Sequence, residues 1–251
     1  MITAVILSKN AEKTIKVCLR SVAFCSEWIV IDDQSIDKTV KIARKLKADV
    51  YIRKLNDDFA GQRNYGLSKA KNQWVLFVDD DEKISSQLKK EILRQMGKKL
   101  NQISAFYLKR KDRFLGSWLN YGETSRVKLI RLARKKAGQW QGRVHEVWQI
   151  KGEKRHLNSP LLHIRDLGVG EFIDRLNRYA GLHSLELYQQ GRKEPWFKIF
   201  VFPPAKFFYN YFICLGFLDG FPGLAMAWLM NWHSLLVRIR LRLLWSNHGK
   251  G

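Results

Sequence analysis

Four carboxylates in a row, Asp79, Asp80, Asp81 and Glu82, follow directly on the apolar run Trp74-Val75-Leu76-Phe77-Val78. Adjacent carboxylates repel one another, so such a group either faces water or holds a cation. An oxygen-rich site suits Mg²⁺ or Mn²⁺. A divalent ion held there can bridge to a diphosphate and act as a Lewis acid on charge that develops as a bond to it breaks. The chain has no GxxxxGK[ST] loop, and no GxGxxG follows its first apolar run, so a glycine cradle for phosphates is not the device. Two further polar clusters end apolar runs in the same way. Ser8-Lys9-Asn10 closes residues 2–7, and Asp32-Asp33-Gln34-Ser35-Ile36-Asp37 closes Trp28-Ile29-Val30-Ile31.

The elements that must position these groups read as alternating strands and helices. The run 74–78 has the composition of a strand buried on both faces, as in a parallel sheet. Residues 2–7, 28–31 and 48–52 read as three more strands. Between them lie helical patterns: Ile15, Leu19 and Val22; residues 38–46, with Asp37 as the cap; and residues 59–70, carrying Gln62-Arg63-Asn64. Ser85 or Ser86 caps a lysine-rich helix reaching about residue 99. Such alternation indicates βαβ units whose strand ends share one rim, where open α/β sheets keep their ligands. Ser8, Asp33 and Asp79 to Asp81 then converge on that rim.

From residue 103 to 163 the pattern changes to shorter strands at 105–108, 127–132, 144–150 and 161–164, expected to extend or cover the sheet as antiparallel pieces. This part holds Trp140-Gln141-Gly142-Arg143-Val144-His145-Glu146. Residues 171–190 form an amphipathic helix with Phe172, Leu176, Tyr179, Leu182 and Leu185 on one side. The expected division is therefore 1–168, with halves 1–100 and 101–168, followed by a helical region, 169–251. In that region residues 197–218 are apolar and aromatic and are expected to break at Pro203-Pro204. Residues 220–237 carry no formal charge and run into Arg238, Arg240 and Arg242. The favoured expectation is of helices lying in a membrane interface, with tryptophans at headgroup depth and the arginines on an anionic leaflet, a true span and a buried core or dimer face being the alternatives.

The balance of charge agrees with an anionic partner. Lys plus Arg number 45 against 23 for Asp plus Glu, a formal net charge of +22, which attracts nucleic acid or an anionic membrane. Cys18, Cys25 and Cys214 have no metal-site or CxxC spacing and read as reduced thiols of a cytoplasmic protein. The first residues lack the charged start of a signal peptide and read as a strand.

The segments Val5-Ile6-Leu7-Ser8-Lys9-Asn10, Ile31 to Asp37, Gly61-Gln62-Arg63-Asn64-Tyr65-Gly66 and Phe77-Val78-Asp79-Asp80-Asp81-Glu82 stand in the order and spacing of glycosyltransferase family 2. The chain resembles the inverting, nucleotide-sugar-dependent members of that family, over roughly its first hundred residues. The resemblance implies an α/β, Rossmann-like GT-A fold with a mixed, mainly parallel sheet flanked by helices, and a DxD motif. The segment Trp140 to Glu146 and the tail with Gly216-Phe217-Leu218-Asp219-Gly220 are similar to a narrower group, the bacterial lipopolysaccharide-core glucosyltransferases that act on inner-core heptose.

Carried over by residue, the resemblance implies that Ser8 and Asn10 border the uridine and that Asp33 accepts from the uracil edge. Arg63 would face the diphosphate or ribose. Asp81 would be the direct metal ligand, with Asp79 as the other outer acid of the DxD motif and Asp79 or Asp80 contacting ribose and sugar. His145 is a further candidate metal ligand. Glu146 is the candidate base that takes the acceptor hydroxyl proton, with Asp166 and Glu123 as reserves. The implied cofactor is Mg²⁺ or Mn²⁺, and the implied donor is a UDP-sugar, glucose being the favoured hexose. The implied partners are a lipid-linked glycan acceptor, namely the lipopolysaccharide core, and the anionic inner face of the inner membrane. Two alternatives stand beside this reading. One is transfer to polyprenyl phosphate or another capsule or O-antigen glycolipid; the other is a basic polyanion-binding protein without catalysis.

Overall fold

The computed structural model describes residues 1–98, 100, 102–142, 146–164 and 168–248. The chain divides into two compact units, the first made of Met1–Asp112 with Val127–Arg165, the second of Arg113–Arg126 with Asp166–Gly251.

The first unit is built on a mixed sheet. In chain order it comprises β1 (Ile2–Ser8), α1 (Ile15–Ser21), β2 (Glu27–Asp32), α2 (Thr39–Lys45), β3 (Asp49–Ile52), α3 (Phe59–Lys69), β4 (Trp74–Asp79), β5 (Glu82–Ile84) and α4 (Ser86–Met96). Then follow β6 (Ile103–Phe114), β7 (Ser117–Trp118, in the second unit), β8 (Lys128–Arg134), β9 (Gly138–Gln141), β10 (Val147–Ile150) and β11 (Glu153–His163). The strand order is β3-β2-β1-β4-β8-β6-β11-β5. β1, β2, β3 and β4 are parallel, while β8 is antiparallel to both β4 and β6. The second half is not purely antiparallel, because β11 pairs with β6 in parallel. The hairpin β9–β10 that lies between β8 and β11 in sequence takes up the reversal of direction.

Period-two alternation sorts the strand residues between two cores. Ala4, Ile6, Val30, Leu76, Val78 and Phe106 face Ile15 and Leu19 of α1, Ala43 of α2 and Leu88 and Ile92 of α4. Val5, Ile29, Ile31, Val75, Phe77, Ala105 and Ala133 face Ala60 and Leu67 of α3 and the tryptophans Trp140 and Trp148 of the hairpin. Gly66 lets α3 lie close on the sheet, since a Cβ there would stand 2.5 Å from Val5 Cγ1. The helix caps follow the expected chemistry at two places: Asp58 accepts from Gly61 N–H, and Ser85 from Leu88 N–H. At α2 the N-cap is Lys38 rather than Asp37. Asp37 instead accepts from the Thr39 N–H two residues on.

In the second unit the chain forms α5 (Val169–Gln189), α6 (Lys198–Phe208) and α7 (Gly220–His248). α7 packs against both α5 and α6. The expected break at Pro203-Pro204 does not occur, and α6 runs through both prolines. The chain breaks later, at a π-helical turn (Tyr209–Ile213) and at Leu215, which takes φ 59°. Glycines set that corner: a Cβ on Gly223 would lie 1.9 Å from the Gly216 carbonyl oxygen, too close for any side chain. Residues 113–126 belong to this unit by side-chain chemistry. Asp219 accepts from the backbone N–H groups of Asn120 and Tyr121 at 3.0 and 2.9 Å. Phe114 packs against Phe172.

Arg238 and Arg240 both make contacts within this unit. Arg238 pairs with Glu194 at 3.4 Å and lies over the Phe202 ring, and Arg240 donates to the Asn177 carbonyl. Among the described residues no single helix is long and apolar enough to cross a membrane. The pair Lys198–Ile213 and Gly216–Asn247, bent by 70°, passes on length and composition together.

Candidate active site

The parallel strands β1, β2 and β4 bring Ser8, Asp32 and Asp79 to one edge of the sheet. Backbone bonds stitch the loops beyond them: Asp33 N–H donates to Ser8 O, and Asp80 N–H to Leu7 O. Asn10 turns at φ 48°, donates through its own N–H to Ser35 Oγ and accepts from Ile36 N–H. Asp33 is buried and engaged, accepting from Lys9 Nζ at 2.6 Å and from Leu55 N–H at 2.8 Å. Ser8 Oγ is buried beside this rim.

β4 ends at Asp79, Asp80 and Asp81 make a two-residue turn, and Glu82 begins β5. The three aspartates have separate surroundings. Asp79 is gripped by two guanidinium groups, Arg63 Nη2 at 3.0 Å and Arg131 Nη2 at 2.6 Å, one on each carboxylate oxygen. Burial alone would raise its pKa, but Arg131 and then Arg63 hold it well below the ordinary carboxylate range. Asp80 accepts from Lys9 N–H at 2.9 Å. Burial, and then the neighbouring Asp81 charge, push its carboxyl up to about 7 against that bond. Asp81 is buried and lies 3.2 Å from His163 Nε2, and the other nitrogen of that ring, Nδ1, lies 2.9 Å from Asp112. Burial would lower the pKa of His163, but its bonds to Asp112 and Asp81 overcome this and raise it to about 10. The ring thus lies between two carboxylates.

Arg63 joins the β4 end to the hairpin. Its Nε donates to Glu146 at 2.9 Å, its Nη2 to Asp79, and its plane covers the Trp140 ring at 4.7 Å. Nη1 is buried with no hydrogen-bond partner among the described residues. Trp140 itself is buried, stacked on Trp148 and edge-on to Phe77. The hairpin is thus anchored by aromatic packing, and Glu146 stands just before its second strand. Asn64 ties α3 to the same hairpin through both directions of a bond pair with the Trp140 backbone.

Ser8, Asp33, Arg63, Asp79, Asp80, Asp81 and Glu146 all belong to the first unit. Glu123 belongs to the second, where it pairs with Lys206 at 2.6 Å. His145 and Asp166 lie outside the described residues. Three residues of the cluster escaped notice in the sequence: Arg131, Asp112 and His163. Arg131 sits inside an apolar strand pattern and owes its direction to a bulge. Ile130 and Arg131 together oppose one step of β6, between Phe106 and Tyr107, and such an extra residue re-aims a side chain. His163 closes the last strand of the sheet, the one available signal for it.

Among the described residues no three His, Cys, Asp or Glu side chains form a ready metal cluster. The donor chemistry still fits a divalent cation. Asp79 is neutralised by arginines, whereas Asp80 is half-buried and Asp81 is buried beside the His163 ring. Asp81 and His163 Nε2 are the pair that would hold such an ion in place of a proton on the ring, with Asp112 behind the ring.

A mixed sheet flanked by helices, with parallel β1 to β4 and acids at the end of β4, is the arrangement of the GT-A fold. The family model for glycosyl transferase family 2 matches residues 3–153, and the chain belongs to that family and is a glycosyltransferase. It is 24% identical over 242 residues to the lipopolysaccharide core biosynthesis glycosyltransferase LpsC of Rhizobium meliloti, covering 91% of this chain and 89% of that one. It is 26% identical to a glycosyltransferase of Rickettsia bellii, over 96% of this chain and 86% of the relative. Among solved structures, glucosyl-3-phosphoglycerate synthase from Mycobacterium tuberculosis, in complex with Mn²⁺, UDP and phosphoglyceric acid, superposes with a TM-score of 0.50. That match has 13% identity and covers 77% of this chain and 80% of that one. S. aureus TarS 1–349 in complex with UDP-GlcNAc gives 0.48 at 14% identity, covering 100% of this chain and 92% of that one. Family membership sets aside the reading as a polyanion binder without catalysis.

Proposed function

We propose that the chain is a metal-dependent, inverting hexosyltransferase. It moves glucose from UDP-glucose to the inner core of lipopolysaccharide, working on the cytoplasmic face of the inner membrane. One observation carries the catalytic part: Arg63 joins the acid that ends β4 to Glu146 on the hairpin, so donor-side and acceptor-side groups form one hydrogen-bonded unit. Glu146 Oε1 is held by Arg63, and the other oxygen remains to take the proton from the attacking hydroxyl. Arg131 and Arg63 keep Asp79 ionised and fixed, for the ribose and sugar side of the donor. Ser8, Asn10 and Asp33 frame the base of the nucleotide.

Mg²⁺ or Mn²⁺ would be held by Asp81 with His163, the other positions falling to substrate oxygens and water. When bound, it supplies Lewis-acid stabilisation of the departing UDP. The lipopolysaccharide relative named above supports the acceptor. The aromatic surface of the second unit supports a peripheral membrane location: Trp196, Phe200, Phe221 and Trp228 are each more than half exposed.

The test is a panel of UDP-sugars with Mn²⁺ or Mg²⁺ and extracted lipopolysaccharide cores, read by mass. A gain of one hexose from UDP-glucose is expected. Absence of UDP binding and of transfer from every UDP-sugar rejects the proposal.

A further inference from the structure

On β8, β6 and β11 the sheet face that carries Ala105 and Ala133 continues past the tryptophan hairpin into an open strip. The register sets Tyr107 against Ile130 on one side and His156 on the other, and two residues further sets Lys109 against Lys128 and Pro160. Lys111 follows on the same face, opposite Leu162. Tyr107 and His156 stack with ring centres 4.8 Å apart. Lys109, Lys128 and His156 are exposed.

The charges in this strip are uncompensated. Like charges directly opposite on one face of a sheet destabilise the pairing, yet Lys109 and Lys128 are such a pair, and Lys111 adds a third charge. No ion pair is formed by any of the three among the described residues. The neighbouring arginines differ: Arg110 is paired with Asp112 and Arg155 with Glu153. The strip therefore keeps three free ammonium groups beside an aromatic pair, all within the first unit. Its position relates it to the chemistry. β8 runs antiparallel to β4, so its N-terminal residues Lys128 and Ile130 lie toward the rim where β4 ends in Asp79, and Ile130 directly precedes Arg131.

We infer that this strip is the docking site for the anionic substituents, phosphate or carboxylate, of the acceptor glycan. Lys109, Lys111 and Lys128 take the anions, and the Tyr107–His156 pair forms an apolar platform for an adjoining sugar. The inference rests on the acceptor reading proposed above and adds the residues that recognise it. Ammonium–anion hydrogen bonds are charge-assisted and hold in water better than neutral ones, and they relieve the repulsion that the bare strip carries.

The test uses the full chain and a phosphorylated core oligosaccharide freed of lipid by mild acid, before and after phosphatase treatment. Binding is measured by calorimetry for wild type, for Lys109→Gln/Lys128→Gln, and for a charge-matched control, Lys41→Gln/Lys45→Gln on α2. The strip variant should lose affinity for the phosphorylated sugar by about tenfold or more, the scale of one charge-assisted hydrogen bond. The control should not, and dephosphorylation of the sugar should remove the difference. Removing the opposed lysines should leave the melting temperature equal or higher, which separates binding from a structural role.

Equal losses in strip variant and control reduce the effect to net charge and overturn the inference. So does a loss seen only on vesicles containing anionic phospholipid, which makes the strip a membrane contact. UDP affinity is read in the same samples. If wild type binds the phosphorylated sugar through the strip but does not bind UDP, the donor reading fails while the strip stands.

Discussion

At the scale of single residues the site is a division of labour among like groups. Three successive aspartates carry the same side chain, but two arginines hold the first, a backbone N–H meets the second and a histidine faces the third. Asp81→Asn should abolish metal-dependent UDP binding, whereas Glu146→Gln should keep UDP binding and lower transfer by roughly a hundredfold or more, the range of general-base catalysis. Equilibrium titration with UDP beside a transfer assay separates the two, and near wild-type transfer by Glu146→Gln removes it from the role of base. Arg131 is the buried counter-charge for Asp79 and Glu82. Removing one partner of a buried ion pair leaves a charge uncompensated, at a cost of about 3–5 kcal/mol. Arg131→Gln should therefore lose stability of that order in urea denaturation, as well as activity. A variant with unchanged midpoint would show that the grip on Asp79 is not structural.

Among the elements, the hairpin β9–β10 and the clasp between α4 and β11 decide most. Gly138 opens the hairpin where a Cβ would lie 1.7 Å from the Gln149 carbonyl oxygen, and backbone cannot yield as a flexible side chain does. Gly138→Ala should spread the two strands, disturb the Trp140–Trp148 stack and misplace Glu146. Loss of transfer with UDP binding retained, together with a shifted tryptophan emission, is the expected result. On the other face Glu91 of α4 accepts from the backbone N–H groups of Asn158 and Ser159, both at 2.9 Å, at the irregular step of β11. Burial alone would raise its pKa, but those bonds lower it below 4.5. A depressed carboxylate pKa contributes stability above the unfolded value, and that contribution is lost as pH falls through the folded value. Glu91→Gln should accordingly be less stable than wild type at neutral pH, with the gap closing as the pH falls through the depressed pKa of Glu91. A gap independent of pH would assign the effect to packing.

For the whole molecule, an excess of positive charge and several exposed aromatic side chains of the second unit occur in one chain. Large apolar patches rimmed by polar groups mark interaction surfaces, and aromatic rings with basic residues suit a headgroup layer. Substituting Phe200, Phe221 and Trp228 together by serine should reduce sedimentation with anionic vesicles without altering UDP binding. Unchanged sedimentation would locate membrane attachment elsewhere or deny it. The three cysteines are free and buried and add nothing to this surface.

The alternation of apolar runs with helical patterns was enough to determine the parallel half of the sheet and the acids on its rim. Burial on both faces leaves a strand its continuous Val, Ile, Leu and Phe, and polar residues can follow only where the strand leaves the core. The carboxylates at 79–82 were legible for the same reason, whereas Arg63 and Glu146 were singled out only through the resemblance to the family. Tertiary structure decided what those charges do. Arg131 is one basic residue among many along the chain until a bulge turns it onto Asp79. His163 is an ordinary strand-end residue until β11 runs parallel to β6 and sets it against Asp112 and Asp81. The lysines at 109 and 128 become a repelling pair only through the register of β6 and β8. Residues 113–126 join the helical unit because Asp219 and Asn210, far along the chain, hold their backbone. Contacts of this kind depend on pairing register and on which strand follows which in space, and neither is written in a local pattern of residue types.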